Sequence, residues 1–160
     1  MEKAMFGAGC FWGVQAYFDQ VPGVTETVVG YSGGRTENPS YEAVCRHKTG
    51  HAEVVQLEFD PSKVSYEVIV KHFFRMHNPT QLNRQGWDIG DNYRSAIFYY
   101  DNDQKVIAEN IKNESQENFK KRVVTEITKA SVFYPAEDYH QKYAERTGRG
   151  SCHVAYQPIA

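Results

Sequence analysis

Apolar and polar positions alternate with two different periods along the chain, and the switches between them mark out the elements. Ala4 to Ala8 is a short extended run that stops at Gly9. Cys10 to Phe18 then carries its aromatics at helical spacing, which places Cys10 at a helix N-terminus. Val24 to Tyr31 reads as a strand closing on Ser32-Gly33-Gly34, and Ser40 is a natural cap for a short helix from Tyr41. His51 to Phe59 is a strand. Asp60-Pro61 turns the chain, and Ser65 caps a helix with Val68, Ile69, His72, Phe73 and Met76 on one face. Asn78 to Tyr93 is a polar loop, long enough to suggest a function. Arg94 to Tyr100 predicts a buried strand, Asn102 to Phe119 a helix, Val123 to Ile127 a further strand, and Pro135 the opening of a last short helix. Strands and helices intermix without strict βαβ repetition, so the expected fold is an α+β two-layer sandwich with a mixed sheet, a ferredoxin-like core, long loops and an irregular C-terminal tail. A parallel α/β sheet is the alternative.

With 160 residues the chain makes one domain, and 147–160 is expected to be a mobile tail hinged at Gly148 and Gly150. The balance of 18 Lys and Arg against 20 Asp and Glu lacks the basic excess that nucleic acid demands. No apolar run approaches the ~18 residues of a membrane span, and Met1 to Phe6 does not read as a signal peptide, so a cytoplasmic protein with reduced thiols is expected. Three cysteines, Cys10, Cys45 and Cys152, with no C-x-x-C pair, fit neither a disulfide framework nor a zinc ribbon.

The chemistry starts at Cys10. A thiol at a helix N-terminus sits in the positive end of the backbone dipole, which favours the reactive thiolate, although a cysteine among aromatics is more often a packing residue. Glu53 shares a strand face with Val55, Leu57 and Phe59. Unless it escapes to solvent at the strand end, burial there raises its pKa and keeps it protonated as a general acid. Eleven tyrosines offer phenol donors for an oxygen gaining negative charge, but composition selects none of them. Cys152, on its glycine hinges, suits a thiol that must travel.

The blocks Gly9-Cys10-Phe11-Trp12-Gly13, Tyr31-Ser32-Gly33-Gly34, Asn38-Pro39-Ser40-Tyr41, Thr49-Gly50-His51-Ala52-Glu53-Val54, Asn83-Arg84-Gln85-Gly86 with Asp88 and Gly90, Tyr93-Arg94-Ser95 and Ala136 to Gln141 together resemble the type A peptide methionine sulfoxide reductases, in the family's order. The resemblance implies Cys10 as nucleophile, Glu53 as acid, and Tyr41 and Tyr93 as donors to the sulfoxide oxygen. Phe11 and Trp12 would receive the substrate's methyl group, with Asp88 organising the polar side. It further implies that Cys152 resolves a Cys10 sulfenic acid and that thioredoxin recycles the enzyme without a cofactor. The substrates would be the S epimer of methionine sulfoxide in oxidised proteins and as the free amino acid, and a monomer is expected. Gly150-Ser151 stands where the family commonly has a tyrosine before this cysteine, and no cysteine follows, so a single resolving step is expected. Cys45 reads as a packing residue, and His51 and His140 as structural. A zinc deaminase is the rival enzyme, because His51-Ala52-Glu53 matches half of its signature, but no P-C-x-x-C completes it. An aromatic-rich peptide-binding module is the non-enzymatic rival.

Overall fold

The computed structural model describes residues 1–148 and 155–159. Its frame is β1 (Glu2–Ala8), α1 (Phe11–Phe18), β2 (Val24–Ser32), α2 (Tyr41–Cys45), β3 (Ala52–Phe59) and α3 (Tyr66–Met76). There follow β4 (Arg84–Gln85), β5 (Asp88–Ile89), β6 (Ser95–Tyr99), α4 (Asn102–Ser115), β7 (Glu126–Lys129), β8 (Tyr134–Pro135) and α5 (Tyr143–Thr147). Six strands form one sheet in the order β7-β6-β1-β3-β2-β8. The four central strands are all antiparallel, in the order β6-β1-β3-β2, and α1 and α3 make the two crossings, which is the split β-α-β arrangement of a ferredoxin-like core. Only β7 runs parallel, beside β6, so the sheet is mixed as expected.

The helices share one layer. Val55, Leu57 and Phe59 of β3 join Phe6, Phe18, Ile69, Phe73 and Ile111 in the main core, with Phe6 stacked 5.5 Å from Phe18. The opposite face is thinner: Met5, Ala52, Val54, Ala96 and Phe98 lie under the 130–133 segment. Side-chain caps start the helices where the sequence signals them. Ser40 Oγ accepts from Ala43 N at 3.1 Å, Ser65 Oγ from Val68 N at 3.2 Å and Asp101 Oδ1 from Gln104 N at 2.8 Å. Each such cap is worth about 1 kcal/mol.

Four expectations change. Pro135 does not open a helix; it lies in β8, opposite Gly30, and single 3-10 and α turns follow at Asp138–His140 and Tyr143–Thr147. An edge strand tolerates proline because that position need not donate to the ladder. The helix from Asn102 stays α-helical only to Ser115, then tightens into a 3-10 turn, and the strand predicted at Val123 begins at Glu126. Buried Val123 and Thr125 form its approach instead. The 78–93 loop is not structureless: it holds the β4–β5 hairpin and a 3-10 turn at Asp91–Tyr93. Of the predicted tail, 149–154 and 160 lie outside the described residues; 155–159 rest on α3, with Tyr156 stacked 5.5 Å from His72 and Arg75 Nη1 donating to Gln157 O at 3.1 Å.

Candidate active site

The antiparallel register brings the C-terminal ends of β1 and β2 and the N-terminal ends of β3 and β6 to one edge of the sheet, with Ala8 opposite Ser95 and Tyr31 opposite Glu53. Every candidate side chain in the described residues comes from this edge. β1 stops at Ala8, and Gly9, at φ +93°, turns the chain through a conformation that side chains rarely adopt. Cys10 is then the N-cap of α1, its carbonyl accepting from Gly13 N and Val14 N.

The first N–H of α1 donates to the acid: Phe11 N lies 3.2 Å from Glu53 Oε1. Asn92 Nδ2 reaches Glu53 Oε2 at 3.3 Å. Glu53 is only 1% exposed, so it does not escape at the strand end. Burial pushes its pKa from the ordinary 4.5 up to about 8, against the opposing pull of the Phe11 and Asn92 hydrogen bonds and with a small further push from Asp88. The side chain is therefore a neutral carboxylic acid at pH 7, placed where a helix N-terminus meets a thiol.

Tyr93 ends the 3-10 turn, and Tyr41 begins α2. Burial first, then the nearby Glu53, holds both phenols protonated well above their usual range, so both remain donors at neutral pH. Tyr93 also feels Cys45, Asp88 and Cys10, which ties Cys10, Glu53, Asp88 and Tyr93 to one locus. Trp12 is half-buried; its Nε1–H donates to His140 Nδ1 at 2.9 Å, and its ring stacks on Tyr143 at 3.9 Å. Phe11 is fully buried, packed against Tyr31, Tyr41 and His140, so it forms a floor rather than an open wall. Cys152 lies outside the described residues.

Four further residues belong to this locus. Glu137 Oε1 accepts from the Tyr31 hydroxyl at 3.0 Å, and Oε2 accepts from Tyr41 N at 3.1 Å, which pins the start of α2. His140 packs its ring 4.3 Å from Tyr41 and, by accepting from Trp12, fixes the indole. Asn92 has no exposed surface, and its Oδ1 finds no hydrogen-bond partner among the described residues. The Cys45 thiol is hydrogen-bonded to both Tyr41 and Tyr93, and burial pushes its pKa up. The i, i+4 spacing of Tyr41 and Cys45 on a helix was a usable signal for that contact; nothing local pointed to Asn92 or Glu137. His51 commits both ring nitrogens to backbone: Nδ1 accepts from Gly34 N at 3.0 Å and Nε2 meets Thr36 O at 2.7 Å. It cannot serve as the zinc ligand that the deaminase reading requires, and the described residues contain no cluster of three or more metal-ligating side chains.

A family model described as peptide methionine sulfoxide reductase matches residues 2–160. The chain belongs to this family. Its activity is methionine sulfoxide reduction, and it is an oxidoreductase. Peptide methionine sulfoxide reductase MsrA of Geobacter sulfurreducens is 53% identical over 154 residues, which cover 95% of this chain and 95% of that protein. The reduced form of Mxr1 from Saccharomyces cerevisiae superposes with a TM-score of 0.87 at 31% identity, covering 93% of this reductase and 87% of Mxr1. Mxr1 in complex with Trx2 matches with a TM-score of 0.66 at 22% identity, covering 98% of this chain and 90% of that one.

Proposed function

We propose that Cys10 attacks the sulfur of a methionine S-sulfoxide, protein-bound or free, while Glu53 protonates the departing oxygen. The sulfoxide sulfur gains two electrons and leaves as methionine; the Cys10 sulfur loses two and takes the hydroxyl as sulfenic acid. The observation that carries this reading is the neutral, buried Glu53 carboxyl bonded to the first amide of the helix that Cys10 caps. A sulfoxide oxygen is a poor leaving group until it is protonated, and an acid poised near 8 can supply that proton at neutral pH. Tyr41 and Tyr93 steady the same oxygen as phenol donors, Phe11 and Trp12 receive the methyl group, and Asp88 helps keep Glu53 protonated by its charge.

Cys152 then attacks the sulfenic acid, giving a Cys10–Cys152 disulfide and water, and a thioredoxin dithiol takes over that disulfide by exchange. The Mxr1–Trx2 complex supports a thioredoxin as reductant. Residues 1–160 act as one domain, a cytoplasmic monomer without a cofactor, with 147–160 as the segment that delivers the resolving thiol. The test is mass spectrometry with turnover counting: Cys10→Ser yields no methionine, and Cys152→Ser yields one equivalent per enzyme and then stalls with thioredoxin. Methionine formation by Cys10→Ser overturns the assignment.

A further inference from the structure

The hairpin of β4 and β5 presents two different faces. Asp88 is half-buried, and the hairpin is bonded to the reactive locus: Gly90 O accepts from Tyr93 N at 3.0 Å, and Asn92, two places after Gly90, holds Glu53 at 3.3 Å. The neighbours of Asp88 are turned outward: Trp87 is 98% exposed and Ile89 65%, and Leu82, just before the hairpin, is 69% exposed. Three of the eight large exposed apolar residues among those described thus fall within eight consecutive positions, on the rim of the reactive locus. Tyr139, 57% exposed and packed 4.1 Å from His140, lies on the segment that fixes Trp12 and Tyr41.

The exposure is built into a rigid element. Gly90 N donates to Asn83 O at 2.9 Å and Gly86 N to Gln81 Oε1 at 2.8 Å. The Gln85 side chain clamps the backbone of Asn78 at both ends, accepting from its N–H at 2.9 Å and donating to its carbonyl at 2.8 Å. Trp87 therefore stands on a fixed two-residue turn. A preorganised aromatic of this kind binds a partner at little cost in conformational entropy.

We propose that this rim is the docking surface for the polypeptide that carries the oxidised methionine, with Trp87 and Ile89 taking apolar side chains that flank the sulfoxide. The inference rests on the reductase reading and names what its peptide substrate presents beside the sulfoxide: apolar side chains. Continuity with the site selects that occupant. Methionine's sulfur is separated from its backbone by a short side chain, so a peptide that delivers the sulfoxide to Cys10 has to run along the edge of the locus, where Asp88 and its outward neighbours stand. In an extended peptide alternate side chains point the same way, so apolar residues two places either side of the sulfoxide are the ones that reach Trp87 and Ile89.

The test compares wild type with Trp87→Ala, driven by dithiothreitol, on three substrates: free methionine sulfoxide, a peptide with leucine and phenylalanine flanking the sulfoxide, and a peptide with serine and glycine there. The expected result is a KM for the apolar-flanked peptide raised about tenfold, equivalent to about 1.4 kcal/mol, at unchanged kcat. Free methionine sulfoxide and the polar peptide should change by less than about twofold, and Trp87→Phe should restore most of the loss. An unchanged KM for the apolar peptide, in an active wild type, overturns the docking surface alone. In a parallel assay driven by thioredoxin, a raised KM for thioredoxin with no change for either peptide assigns the surface to the reductant and overturns it equally. A wild type inactive on every sulfoxide overturns the reductase reading and the surface with it.

Discussion

Replacing Glu53 by glutamine separates the chemistry of this carboxyl from the cost of burying it. An unfolded chain gives up the Glu53 proton near pH 4.5, whereas the fold holds it until about 8. Stability contributed by the neutral carboxyl is whole below pH 4.5, falls as pH rises, and is gone above about 8. At about 1.4 kcal/mol per pH unit, the wild type loses about 3 kcal/mol by pH 7 and about 5 kcal/mol above pH 8. Glutamine escapes this cost because it never ionises. It keeps the acceptor for Phe11 N, and Asn92, by turning its amide, offers the now unpartnered Oδ1 to the new N–H. The Glu53→Gln protein should therefore match wild type within about 1 kcal/mol at pH 4.5 and exceed it by about 2–3 kcal/mol at pH 7, raising Tm by roughly 4–12 °C. The assay is urea unfolding at pH 4.5, 7 and 8.5, with m held common. A stability difference that does not change with pH, or a glutamine variant weaker than wild type at pH 8.5, refutes the burial argument. The same variant should lose about 10²–10⁴-fold in the reduction step, so the acid would be kept at the expense of the fold.

Wild-type single-turnover reduction should fall above about pH 8 as Glu53 ionises. Stopped-flow profiles should show that descending limb and show it missing in Glu53→Gln, and a wild-type rate still climbing at pH 9 contradicts the assignment. Gly90→Ala should cost at least about 2 kcal/mol, read as a lower Tm. At φ +142° a Cβ would strike the His47 ring and come within 2.6 Å of Asn92 Oδ1, disturbing the residue that holds Glu53. Wild-type Tm and activity there would show that Asn92 is not held in place by this turn.

Strand alternation was enough to put Glu53 on the face of Val55, Leu57 and Phe59, and helical spacing was enough to put Cys10 at the start of α1; both are local rules that the packing reinforces. Pro135 misled because proline is a helix opener in isolation, while here the edge of β2 captures it as a strand. Glu137 and Asn92 were illegible for a different reason. Their partners lie 96 to 106 and 39 positions away, and no periodicity reports contacts of that range. The order of the motif blocks carries the family assignment, whereas the link from Cys45 to Tyr93 emerges only once the sheet edge is assembled.

The dock between α5 and α1 joins the late part of the chain to the helix that Cys10 caps. Lys142 N bonds Gln15 Oε1 at 2.8 Å, its ammonium meets Asp19 at 2.8 Å, and Tyr143 lies flat on Trp12, the residue two places after Cys10. While that anchorage holds, α5 and the indole beside Cys10 behave as one body, so a change that loosens Lys142 or Tyr143 also frees Trp12.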